Sequence, residues 1–299
     1  MRLSKPLSIQ HLAPYLFLLP ALAIMLIFMY LPILENFFYS LFRWSSIDPR
    51  LFYVGLSNYK RILSDPIIAL SLRNNVLYAV ISVFFQVFIA LVLAAILESG
   101  AIRPRWGTTF RNILFLPSVL AVTVVGLTWQ LIYRPDTGLL NQLLEVIGLT
   151  SLKTAWLGNE KTAIFAIIAV SQWQWVGYVM ILFIVAIQAI PEEFYEAARI
   201  DGANRIQQFF RITVPLVRET TLVWTTITVI GAFKVFDIVW VMTAGGPNHA
   251  SEVLGNYLYR VGFRNDEMGY AAAIASLLFI ITFLLTFLQL RIGRSGEEI

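Results

Sequence analysis

The chain has 299 residues, of which 58% are hydrophobic and 13% charged, and its mean hydropathy is +0.74. This is too apolar for an ordinary soluble domain. The net charge of +4 fits the basic flanks of membrane spans and gives no reason to invoke nucleic acid; with zero cysteines, disulfides, a thiolate nucleophile and a Cys-ligated metal are excluded.

Arg2 and Lys5 precede an apolar run from Leu12 to Leu34. Ala21-Leu22-Ala23 mimics a signal-peptidase site, but it falls in the middle of the run, so a retained first span is expected. A long polar segment, 35–75, follows, with turn chemistry at Asp48-Pro49 and Asp65-Pro66. Arg73-Asn74-Asn75 then reads as the polar start of a second span, 76–97. A basic turn with Arg103, Arg105 and Arg111 leads to a third, 113–133. There Leu116-Pro117 frees backbone that Ser118, Thr123 and Thr128 could satisfy. Pro135-Asp136-Thr137-Gly138 marks a turn before an amphipathic stretch from Leu139 to Ile147. Spans at 163–190, 220–246 and 268–290 complete six, each of about 20 residues or more and so long enough to cross ~30 Å of hydrocarbon. With both termini cytoplasmic, the inner segments carry 11 Lys/Arg in 64 residues and the outer segments 10 in 91, a modest positive-inside bias. No internal repeat stands out, and the chain reads as one membrane domain over 1–299.

Between the fourth and fifth spans lies the polar insert 191–219. Pro191 suits a first helical turn, with Glu192 and Glu193 favourable behind it. Glu196, Ala197 and Ala198 continue the helix; Gly202 after Asp201 can take the left-handed conformation of a sharp turn into Ala203. A second short helix with Ile206, Phe209 and Phe210 on one face is expected to end at Pro215.

The order E-A-A-x-x-D-G-A with a proline twelve residues on resembles the cytoplasmic coupling loop of binding-protein-dependent ABC importer permeases. The stretch Phe236 to Pro247 resembles the F-D-x-x-x-x-x-T-x-G-G-P pattern of their carbohydrate type, as Tyr53 to Tyr59 resembles a V-G-L-x-N-Y segment found before the transport core. The resemblance runs from about Tyr53 to Leu290 and is to the maltose-type permeases. It implies an all-α integral membrane protein with the six-helix type I permease fold and a cytoplasmic coupling helix. It further implies that Glu196 and the Asp201-Gly202-Ala203 turn dock into a cleft on an ATPase subunit. The implied partners are a second homologous permease, commonly different in sequence, two copies of an ABC ATPase that bind ATP and Mg, and an extracytoplasmic solute-binding protein. The implied location is the prokaryotic cytoplasmic (inner) membrane. No G-x-x-x-x-G-K-[ST] string occurs, so no cofactor is expected in this chain and no catalytic site.

A polar solute needs polar groups within the spans. Ser171, Trp175 and Tyr178 share one helical face. By the resemblance these three, and Thr228, Ala232 and Val235, stand at solute-pocket positions, although the fifth span has fewer amides than the maltose pattern. Lys234 and Asp237, three residues apart, could pair on one helix face; they could also bind an anionic solute or relay protons in an ion-coupled secondary carrier. Such a carrier would show broken helices and inverted repeats, which the sequence does not suggest. Gln86 and Gln130 could also face the pathway. His11 and His249 have no ligand partner in sequence and read as solvated.

Overall fold

Carbonyls and amides inside hydrocarbon must find partners within the protein, which leaves helices as the default and makes every helix break a local problem to be solved. The computed structural model describes residues 9–48, 50–100 and 103–294, which leaves Arg2 and Lys5 outside. Among the described residues four helices are long and apolar enough to cross a membrane: Tyr15–Tyr39, Pro66–Glu98, Ala163–Gln188 and Met268–Gln289. Two bent pairs reach that length and hydropathy together, Arg105–Val119 with Val122–Ile132 at 100° and Arg218–Phe233 with Asp237–Thr243 at 41°, which makes six if each pair is one span. The chain groups into two compact units, residues 1–64 with 260–277 and residues 65–259 with 278–299.

In the first unit Phe42–Arg43 and Phe52–Tyr53 form a two-stranded antiparallel pair, followed by the helix Ser57–Ser64. Asn58 fixes this turn by donating to the carbonyls of Ser40 (2.8 Å) and Phe42 (3.1 Å). Asn36 ties the first helix to Ala272 O (3.1 Å) and Ser276 Oγ (3.0 Å). Asp266 accepts from the Ser45 hydroxyl, the Ser46 hydroxyl and the Ser46 amide, and these donors pull its carboxyl down to about 2.

In the second unit the most buried span is Ala163–Gln188. Its Ile167, Ile168, Met180 and Phe183 are fully enclosed, and two apolar clusters form along it, one above and one below its polar middle. Gly177 lets another backbone approach: a Cβ there would lie 1.8 Å from the Leu114 carbonyl oxygen. The second span begins ten residues before its expected start, at Pro66, because Asp65 caps the helix by accepting from Ile67 N at 2.9 Å. Asn74 and Asn75 therefore do not open the span; they are buried inside it. Asn75 Nδ2 donates to Ala232 O (2.8 Å) and Phe233 O (3.3 Å), and its Oδ1 accepts from Leu254 N (2.9 Å). Asn74 donates to Ala250 O (2.9 Å) and Glu252 O (2.8 Å).

The third span is not one straight helix. Pro117 sits in a 3-10 turn, Leu116–Val119, and Leu120 is extended, so the chain bends sharply. Gln174 donates to the freed Leu120 carbonyl at 3.0 Å and Ser118 Oγ to Phe115 O at 2.7 Å. Gln130, a pathway candidate by sequence, instead closes the C-terminal end of Asp237–Thr243 by donating to Val241 O (2.8 Å) and Met242 O (3.0 Å). The amphipathic stretch forms the helix Leu139–Val146, anchored through buried Asn141 to Pro135 O and Thr154 O, both at 2.9 Å.

Two outcomes check these supports. Asn75→Leu orphans three backbone groups at about 1–3 kcal/mol each and should sharply lower the unfolding midpoint in detergent, whereas Val76→Leu on the exposed face should leave it unchanged. Gly177→Ala should abolish folding or force the Leu114 turn apart, while Gly231→Ala, with no atom within 4 Å of the new methyl, should be neutral or slightly stabilising.

Candidate functional site

The fifth span breaks at residues 234–236, between Phe233 and Asp237. Beside this break, within the second unit, lies a cavity of about 550 Å³. Its wall brings together Ser171, Trp175, Tyr178 and Thr228, all four singled out from the sequence, with Ala232, Val235, Lys234 and Asp237. Trp175 meets Tyr178 edge-on at 6.1 Å, and Tyr178 meets Trp224 edge-on at 5.8 Å. These rings make an aromatic wall suited to the apolar face of a polar solute. Tyr78, Ser82, Gln174 and Trp224 also line the space and were not picked out as pathway residues from sequence. Trp224 lies four residues before Thr228, and that helical spacing was the available signal. Gln174, one of the polar residues of the fourth span, carried the same signal, three residues after Ser171 and four before Tyr178, whereas Ser82 gave none.

Lys234 and Asp237 do not form the expected pair. The helix that would have put them on one face is unwound between them, both are exposed to the cavity, and no ion pair joins them. Each charge is instead stationed at a helix end of opposite polarity. Lys234 caps the C-terminus of Arg218–Phe233, its amide donating to Ile230 O at 3.0 Å, and Asp237 is the first residue of the next helix. Gln86 faces the same cavity and donates to Gln172 Oε1 at 2.9 Å.

Beyond the break, Asp237–Thr243 ends on Ala244 in the left-handed conformation, and the Gly245-Gly246-Pro247 loop folds back. His249 is not simply solvated: its Nδ1 lies 2.6 Å from Oε2 of Glu252, which is fully buried. Among the described residues no cluster of His, Asp and Glu has metal-site geometry.

The polar insert folds as the helix Glu192–Ile200, a turn, and a second helical run over 205–216. Gly202 has φ +79°, and the turn closes through Gly202 N to Arg199 O (3.1 Å) and Ala203 N to Ala198 O (2.8 Å). Asn204 and Gln207 exchange side chain-to-backbone bonds at 2.9 and 2.8 Å, a capping box. Tyr195 OH and Thr213 Oγ1, 3.0 Å apart, tie the two arms together. The second run ends at Leu216, one residue past Pro215, close to the expected stop. Before the proline the winding loosens over Phe209–Thr213, where Val214 N reaches back to Phe209 O, so the ring is accommodated in the last turn. Pro32 in the first span is likewise preceded by such a loosened turn, Leu26–Tyr30.

The outer surface of this element is open. Glu196 and Ala197 are exposed, with Arg199 3.3 Å from Glu192 and 3.9 Å from Glu196. Phe194, Ile206 and Phe210 project outward, and Ile200 is 87% exposed. A surface with this much apolar area around a rigid turn is built to meet another protein.

Comparison with known proteins bears on both features. The family model described as "Binding-protein-dependent transport system inner membrane component" matches residues 11–295. The probable ABC transporter permease protein YurN of Bacillus subtilis (strain 168) is 52% identical over 289 residues, 97% of this chain and 98% of its own length. The trehalose/maltose transport system permease protein MalF of Thermococcus litoralis is 34% identical, covering 95% of this chain and 94% of that protein. The arabinooligosaccharides transport system permease protein AraP of Halalkalibacterium halodurans is also 34% identical, over 94% and 87%. In fold, the chain is similar to one from the crystal structure of a bacterial ABC transporter involved in the import of the acidic polysaccharide alginate, with a TM-score of 0.83, 21% identity and 96% of each chain covered.

If the rings form the solute wall, Trp175→Ala and Tyr178→Ala should each raise the half-saturating solute concentration for transport roughly tenfold or more, with membrane insertion unchanged; uptake kinetics in proteoliposomes check this.

With its helical spans, its match to a family model over nearly the whole chain and its close full-length relatives, this protein belongs to the binding-protein-dependent transport system inner membrane component family and is a permease subunit of an ABC importer.

Proposed function

We propose that this permease forms half of a pathway for a sugar or related polar solute, delivered by an extracytoplasmic binding protein and driven by partner ATPases. The observation that carries the solute class is the cavity at the break in the fifth span, where three aromatic rings face amide and hydroxyl groups in an otherwise apolar unit. Rings cover the apolar faces of a sugar, and the polar groups replace the water its hydroxyls lose. The names of related permeases, for trehalose/maltose and for arabinooligosaccharides, support the same class.

The remaining partners follow from the same reading. The other half of the pathway is a second homologous permease, a different chain in a heterodimer. Two ATPase copies hold ATP and Mg, so this chain needs no cofactor and catalyses nothing itself. Glu192–Ile200 and the Gly202 turn seat in a cleft of one ATPase, with Glu196 meeting a basic residue and Ala197 and Ala198 keeping the contact close. A stiff joint transmits rotation, so closure of the ATPases switches the cavity between inward and outward access. Both termini are then cytoplasmic, in the inner membrane of a prokaryote. An ion-coupled secondary carrier using Lys234 and Asp237 is not supported: the two residues form no pair, and that reading leaves the exposed, capped turn of 191–219 without a purpose.

The test is ATP hydrolysis by the complex reconstituted with its partner permease, ATPase and binding protein. Gly202→Asp should lower solute-stimulated hydrolysis roughly tenfold or more, the scale of losing a central interface contact. Gly202→Asn, which tolerates the left-handed conformation as Asp does but adds no charge at the joint, should retain more of it than Gly202→Asp. Full stimulation in the Asp variant would show that the turn is not the joint, and uptake without any ATPase would favour the secondary carrier.

A further inference from the structure

The polar side chains of the cavity differ in which of their hydrogen-bonding atoms are already committed. Gln172, buried behind the wall, donates its amide nitrogen to Ser82 Oγ (3.1 Å) and Ile168 O (3.0 Å). The end it turns toward Gln86 is therefore its carbonyl oxygen, and Gln86 must answer with its nitrogen, at 2.9 Å. That arrangement leaves Gln86 Oε1, which makes no hydrogen bond among the described residues and is not sealed off from the cavity its side chain lines. Gln174 repeats the pattern. Its nitrogen is held by the Leu120 carbonyl at the bend of the third span, and its Oε1 is likewise uncommitted at the cavity. Thr228 differs from its neighbours in the same sense. Thr221, Thr225 and Thr226 each donate to the carbonyl four residues earlier, at 2.9, 2.7 and 2.9 Å, whereas Thr228 makes no such bond and lines the cavity.

We infer that Gln86 and Gln174 are specificity-determining residues of this pathway, two orientation-locked carbonyl acceptors that select a solute by its hydroxyl donors. The inference rests on the cavity being the solute site. Their nitrogens are bound to the scaffold, so neither amide can rotate to offer a donor without breaking a buried bond. A solute hydroxyl satisfies such an oxygen; a solute lacking that hydroxyl leaves it desolvated and unpaired, which is how a polar site rejects a deoxy analogue. The Thr228 hydroxyl, able to donate as well as accept, completes the set.

The test uses the complete reconstituted transporter with binding protein, and the probes are maltose, trehalose and arabinotriose, followed by the monodeoxy analogues of whichever is carried. Gln86→Met and Gln174→Met should each raise the half-saturating concentration roughly tenfold or more. Because each also leaves a scaffold oxygen unmet, Gln172 Oε1 or the Leu120 carbonyl, the reading that decides is the ratio of parent to deoxy uptake within each variant, not its absolute rate. For one hydroxyl per residue, the variant should carry the parent sugar and its deoxy analogue equally well while wild type discriminates. Comparing variant with wild type cancels any preference of the binding protein. Gln86→Asn and Gln174→Asn, which keep an amide but draw both its ends back by one methylene, give a second reading if a Met variant does not assemble. Unchanged discrimination in the variants, with Trp175→Ala still impairing uptake, overturns the roles of the two amides and leaves the solute cavity standing. Unimpaired uptake in Trp175→Ala as well, or carriage of none of the three sugars, overturns both.

Discussion

The second unit turns on one side chain, Asn75. A span that unwinds inside hydrocarbon exposes carbonyls with no water to take them, at a cost of several kcal/mol for each one left unmet. Asn75, buried on the neighbouring helix, supplies donors to Ala232 and Phe233 on one side of the break and accepts from Leu254 beyond it. It thereby holds three segments in register with two atoms. Gln174 does the same for the bend at Leu120, and Gln130 for the end of Asp237–Thr243. Buried amides thus do in this molecule what ordered water does at breaks in soluble helices.

Function follows from that solution. A break stabilised in this way makes room for a polar cavity in an apolar unit and places Lys234 and Asp237 at helix ends whose partial charges suit them. The same economy governs the wall. Gln174 both closes the bend with its nitrogen and faces the cavity with its oxygen, so support and recognition share one residue. The polar insert of 191–219 is built on a different principle. It is exposed, and its shape comes from short-range devices: the left-handed Gly202, the Asn204 capping box and the Tyr195–Thr213 tie. Such local rigidity survives at a surface where no core could supply it.

The sequence was legible where the physics is local or collective. Long uncharged runs identified the helical membrane class, because crossing hydrocarbon demands them, but not the start of the second helix at Pro66 or the bend at Leu120. The Pro191 start, the Gly202 turn and the aromatic face of Trp175 and Tyr178 were readable because first-turn prolines, positive φ and helical periodicity act over a few residues. The stop near Pro215 was readable too, but nothing in Phe209–Thr213 announces the loosened winding that accommodates its ring.

The sequence by itself determined a multi-span helical protein with a polar, turn-centred insert, since hydropathy and turn chemistry depend on residue type and spacing alone. Tertiary structure decided where helices break, which polar residues are consumed as supports and which remain for a solute. Asn75, Gln86, Gln130 and Gln174 are similar amides in similar apolar surroundings, and their fates diverge only because each faces a different neighbour. A hydrogen bond needs its partner within about 3 Å, and which partner arrives there is set by packing across residues separated by up to 179 positions in the chain.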